Sequence, residues 1–152
     1  IGRKPNDTIP VIMEQGLKEI GDWLKINGEA IYSTKPWKNT RQWTAGEIPK
    51  VEYNKEFSSA YDVTKLIEAS SGGKASIETF FTAKGSNVYA ILPHWSRRTL
   101  VLKDLKQAKA VTLLGSSAPL KFRSSKGGLE IDLPDLSENL RAQPAWVLKI
   151  AR

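Results

Sequence analysis

The sequence predicts a mainly β protein: an antiparallel β-sandwich preceded by one amphipathic helix. Three observations carry this. From Ser76 onward, short runs rich in β-formers recur at roughly 8–12 residue spacing, each closed by Gly, Ser, Asn or Pro. Before them, Met13, Leu17, Ile20 and Leu24 recur at i, i+4, i+7 and i+11, one apolar stripe of a helix. Between the two lies Asn27-Gly28-Glu29-Ala30-Ile31-Tyr32-Ser33-Thr34-Lys35-Pro36-Trp37, where the helical pattern stops and the strand pattern begins.

The helix is expected over residues 7–26. Pro10 suits its first turn, and Asp7 or Thr8 is placed to cap it. Gly16 and Gly21 inside it cost about 1 kcal/mol each relative to Ala and leave room for a close neighbour. Asn27-Gly28 is expected to end the helix in the left-handed region, which both residue types tolerate. Pro36 sets its own φ and holds Lys35 extended, so no helix runs through it. Trp37 is then a large apolar anchor. Gln42-Trp43-Thr44 and Val51-Glu52-Tyr53 read as short strands, Ser59 to Ala69 as a short helix, and Ser70-Ser71-Gly72-Gly73 as a turn.

Ser76 to Thr82 and Asn87 to Leu92 form a hairpin around Lys84-Gly85-Ser86-Asn87. Further strands are expected at Thr99–Leu102, Ala110–Leu114, Leu120–Arg123, Leu129–Leu133 and Ala145–Ile150. The run Leu129-Glu130-Ile131-Asp132-Leu133 alternates strictly, so one of its faces is wet.

At 152 residues the chain holds one ordinary domain plus a piece of another. No run approaches the ~20 apolar residues of a membrane-spanning helix. There are no cysteines, which excludes disulfides and thiolate metal sites. The net charge is +7, but the basic excess is +2, +1 and +4 over residues 1–50, 51–100 and 101–152. Spread so thinly, without a basic helix or an aromatic RNA-binding motif, it points to neither a nucleic acid nor a membrane as partner. The chain begins Ile1-Gly2-Arg3-Lys4 with no initiator Met, as expected of a fragment or a processed chain. Asn6-Asp7-Thr8 is a formal glycosylation sequon, relevant only in a eukaryotic secretory pathway.

Candidate chemistry is sparse. Glycoside hydrolysis requires two carboxyl groups facing each other across a sugar, and no pair of the 16 acidic residues carries a pocket signature. Glu29 stands out at the junction, where its structural reading is a helix-end or interface hydrogen-bonding residue. His94 is the only histidine, so no metal cluster or Ser-His pair is built on it. Trp37, Trp43, Trp95 and Trp146 are either core and interface residues or a sugar-stacking platform. No catalytic, cofactor-binding or metal-binding residue is assigned.

Five stretches in order resemble one family. They are Ile20-Gly21-Asp22-Trp23-Leu24 with Asn27 to Trp37; Val88-Tyr89-Ala90-Ile91 with His94-Trp95; Val111-Thr112-Leu113-Leu114-Gly115; Gly128-Leu129-Glu130-Ile131-Asp132-Leu133-Pro134; and Ala145 to Ile150. Together they resemble the end of the barrel and the C-terminal sandwich of glycoside hydrolase family 29, the α-L-fucosidases. The likeness covers nearly the whole chain and is weakest from Thr44 to Gly73. It implies a division into the last helix of a catalytic (β/α) barrel (1–27), a connector (28–44) and a β-sandwich (45–152). It also implies a barrel partner in the same protein, a fucosylated glycan bound through that barrel, and a secreted, periplasmic or lysosomal setting. The family's nucleophile is an aspartate on a barrel strand upstream of this chain, and no position here matches it. A chain lacking it is expected to be inactive alone. The alternatives are a stand-alone carbohydrate-binding sandwich and a basic nucleic-acid- or surface-binding domain. A free binding module has no need of a long amphipathic helix before its first strand.

Overall fold

A computed structural model describes residues 10–49, 63–68, 72–96 and 98–152. The helix α1 runs Val11–Asn27, behind Pro10. It continues into a 3-10 turn, Gly28–Ala30. The left-handed ending expected at Asn27-Gly28 does not occur: Asn27 has φ −107° and Gly28 has φ −59°, both right-handed. Gly28 answers to space, because a Cβ there would meet the Tyr32 ring at 2.7 Å. The positive φ falls five residues on, at Ser33 (57°).

Strand β1, Lys35–Trp43, follows at once and pairs antiparallel with β2. The sheet thus begins inside the stretch expected as connector. Pro36 is accommodated because β1 is an edge strand, where a missing N–H breaks no ladder on its open side. A five-residue helix α2, Val63–Ile67, lies within the expected 59–69 helix. Asp7, Thr8, the sequon, the candidate strand Val51–Tyr53, the flanks of α2 and Ser70-Ser71 lie outside the described residues.

The hairpin is β2, Ile77–Lys84, and β3, Asn87–Leu92, with Gly85 at φ 58° in its turn. Then come β4 (Thr99–Leu102), β5 (Ala110–Leu113), β6 (Phe122–Ser125), β7 (Gly128–Asp132), a short α3 (Glu138–Arg141) and β8 (Trp146–Ala151). One sheet has the order β1-β2-β3-β8-β5, the other β4-β7-β6. Every strand pair is antiparallel. The expected sandwich is present.

The core lies between the sheets. Phe81, Val88, Ala90, Leu92, Val111, Leu148 and Ile150 of the larger sheet meet Leu100, Leu102, Leu129 and Ile131 of the smaller. Trp37 joins them, its ring tilted against Phe81 with centroids 5.2 Å apart. On β7, Glu130 and Asp132 alternate outward from this core, as the strict apolar–polar pattern predicts.

Candidate functional site

The larger sheet is covered on its second face as well. Residues opposite one another in an antiparallel pair share a face, so Tyr89 lies beside Lys149 and Ile91 beside Val147. Ala30 of the 3-10 turn packs with Tyr89 and Val147, all buried, and Trp23, Ile91 and Leu114 close the cluster. This second, smaller core fastens residues 23–32 to the sandwich.

Polar contacts fasten the same stretch. Trp23 Nε1 donates to the Ala145 carbonyl at 2.8 Å, and Thr82 Oγ1 to the Ala30 carbonyl at 2.7 Å. The fully buried Asn27 donates from Nδ2 to the Trp23 carbonyl at 3.2 Å and to Gln143 Oε1 at 2.9 Å. Gly115 leaves room for the helix, since a Cβ there would meet Ile26 at 2.8 Å and Leu140 at 2.9 Å.

Glu29 is the polar centre. Its Oε1 accepts from the Tyr89 hydroxyl at 2.7 Å and from Lys149 Nζ at 2.5 Å. The Lys149 bond, then the Tyr89 bond, hold its carboxyl below the usual carboxylate range. Burial, then the bond to Glu29, push the Tyr89 hydroxyl up to about 12. Glu29 is therefore a carboxylate committed to two donors, the junction role that its position in the sequence suggested. Such a group is poorly suited to deliver or abstract a proton near neutral pH.

Beyond residue 23, going back toward its start, α1 leaves the sandwich. Leu17 is 46% exposed and Ile20 58%; Met13 and Leu24 of the same stripe are half-buried. Apart from the helix's own backbone and adjacent residues, nothing among the described residues comes within 4 Å of a Cβ built on Gly16 or Gly21. Ile26, Ile31 and Tyr32 are further exposed apolar residues of this stretch.

The tryptophans do not form one platform. Trp37 is in the core, Trp43 is half-buried with the Arg41 guanidinium 5.8 Å from its ring, and Trp95 and Trp146 pair at 5.8 Å. The indole N–H groups of Trp95 and Trp146 donate to the Pro134 and Leu140 carbonyls. His94, past the end of β3, makes a short hydrogen bond through Nε2 to the Ile67 carbonyl, tying α2 to the sheet. No group of three or more His, Asp or Glu suited to a metal occurs among the described residues.

These features define a class: a β-sandwich domain with a helix docked by its last turns and bearing an exposed apolar stripe further back. Comparison with known proteins gives the family. Residues 74–151 match the family model described as the alpha-L-fucosidase C-terminal domain, and the chain belongs to that family. An alpha-L-fucosidase of Branchiostoma floridae is 32% identical over 99% of this chain. The tissue alpha-L-fucosidase of Homo sapiens is 30% identical over the same share. The chain spans only 28% and 27% of their lengths. A Thermotoga maritima alpha-fucosidase, solved with a mechanism-based inhibitor, shares the fold over the whole chain at TM-score 0.64 and 22% identity, with 30% of its own chain covered. Isoenzyme 1 of Paenibacillus thiaminolyticus does so over 99% of this chain at TM-score 0.65 and 17% identity, with 29% of its chain covered.

The sequence pointed to Glu29 and to the α1 stripe. It missed Tyr89 and Lys149 as the partners of Glu29, because they stand 60 and 120 residues away. One available signal was the unbroken apolar run Val88-Tyr89-Ala90-Ile91-Leu92, which marks a strand covered on both faces.

Proposed function

We propose that this chain is the C-terminal part of a retaining α-L-fucosidase that releases terminal α-L-fucose from glycans, and that its sandwich supports the catalytic barrel. In this reading residues 1–27 belong with the barrel, 28–44 join the two parts, and 45–152 complete the sandwich begun by β1. The supporting observation is the split character of α1. Its last turns are fastened to the larger sheet through Trp23, Asn27 and the turn bearing Glu29, while Leu17 and Ile20 stand exposed. Large apolar side chains on a helix seek a partner surface, each gaining roughly 1.5–3 kcal/mol on full burial. A barrel is that partner, and the clamped junction fixes the angle at which it meets the sandwich.

Chemistry then comes from the barrel. Retention requires a nucleophile and an acid/base carboxyl about 5–5.5 Å apart across the sugar. Glu29, bound to Lys149 and Tyr89, supplies neither. The chain alone is expected to release no aglycone from an aryl α-L-fucoside. Turnover by the pure chain that disappears in Glu29→Gln would overturn the reading and make Glu29 a catalyst.

A further inference from the structure

The loop joining β4 to β5 borders a cavity of about 600 Å³, whose lining includes Trp37, Lys38, Asp104, Lys106, Lys109 and Arg152. That volume falls in the range of small-ligand sites. The loop is held in place at several points. Leu105 is buried in the core, and the Lys106 carbonyl accepts Ser124 Oγ at 2.6 Å. The Lys109 amide donates to the Ala151 carbonyl at 2.8 Å.

The charges around the cavity are unbalanced. Four of its lining residues carry cationic side chains, and one, Asp104, carries an acidic side chain. Asp104 is engaged by a neutral donor, Asn39 Nδ2 at 2.6 Å, and not by any of the four. Among the described residues Lys106 and Lys109 have no carboxylate partner, and the Lys38 ammonium lies 5.1 Å from the centroid of the Trp37 ring. Arg152 Nε donates to the Ser86 carbonyl, which holds the guanidinium without neutralising it. Like charges gathered around one cavity repel, and an anion placed among them relieves the repulsion.

We propose that this cavity binds a small anionic ligand, one bearing sulfate or carboxylate groups, for which an anionic sugar is the probe. The inference goes beyond the fucosidase reading and does not depend on α1. A nucleic acid fits less well, because a polynucleotide needs cations tracking along its backbone and these ring a single cavity.

The test titrates the 152-residue chain at low salt with a sulfated heparin-derived tetrasaccharide, its desulfated uronate counterpart, a neutral tetrasaccharide and a single-stranded oligodeoxynucleotide. The expected result is binding of one or both anionic sugars and none of the neutral one. Binding of the sulfated probe alone identifies sulfate as the recognised group; binding of both shows that a carboxylate suffices. The double variant Lys106→Ala/Lys109→Ala should weaken binding on the order of tenfold, in line with the loss of contacts to a charged group. Lys25→Ala on α1 should leave binding unchanged. If the double variant melts early, Lys106→Gln alone serves, with a smaller loss expected. The proposal is overturned if neither anionic sugar binds, if Lys25→Ala weakens binding as much as the cavity variants, or if the oligonucleotide binds at least as tightly.

Discussion

Strands β3 and β7 send residues into the same core, yet their other faces meet different surroundings. On β7, Glu130 is bridged by Arg123, and Asp132 accepts from Thr99, both at the surface. On β3, Tyr89 and Ile91 lie beneath Trp23 and Ala30, and the Tyr89 hydroxyl is spent on Glu29. The smaller sheet is a wall facing water. The larger is a middle layer, with the core on one side and the end of a helix on the other. Further back along α1, Leu17 and Ile20 stand exposed.

Substitutions separate the two regions. The largest effect belongs to the core that both sheets share. Trp37→Ala should cost about 3–5 kcal/mol, because the ring is only 9% exposed and packs on Phe81. An unchanged melting temperature would place Trp37 in solvent and revive a sugar-stacking role for it.

On the covered face of the larger sheet, Tyr89→Phe and Glu29→Gln should act in opposite pH ranges. Folding raises the Tyr89 pKa from 10 to about 12. Its contribution is therefore whole below pH 10 and lost as pH rises through 12. Folding lowers the Glu29 pKa from 4.5. Its contribution is present above pH 4.5 and lost as pH falls through the lower folded value. The stability gap between parent and Tyr89→Phe should thus narrow on the alkaline side, and the gap to Glu29→Gln on the acid side. At neutral pH Tyr89→Phe should cost about 1 kcal/mol, the net worth of one hydrogen bond. Gaps that do not change with pH would show that the clamp is not formed in solution.

The smallest effect is expected on the outer face of β7. Glu130→Gln should lower the melting temperature less than Tyr89→Phe does, since the pair sits at the surface, with Arg123 78% and Glu130 20% exposed. A loss as large as that of Tyr89→Phe would erase the distinction between the faces.

Much of this was legible in the sequence, and the gaps have physical causes. The alternation Leu129-Glu130-Ile131-Asp132-Leu133 placed β7 and its wet face directly. The helix was legible by period and so was the place where it ends; the handedness of that end was not, because a glycine required for the Tyr32 ring looks the same in sequence as one required for handedness. Most of β1 escaped notice, because Lys35, Lys38, Asn39, Thr40 and Arg41 are exposed or half-buried on an edge and leave no apolar alternation. The four residues of α3 are too few to show a helical period. The Glu29 clamp depends on strand register, which brings Tyr89 and Lys149 opposite each other and which no local pattern encodes.

Hydrogen exchange tests most directly whether α1 is made for a partner outside the sandwich. In the monomeric chain alone, amides of residues 11–22 should exchange fast, and those of 88–92 and 147–150 slowly. Adding the catalytic barrel should slow the helix selectively. Protection of residues 11–22 equal to that of β3, in a proven monomer, would mean that the sandwich buries the helix unaided and would contradict the account.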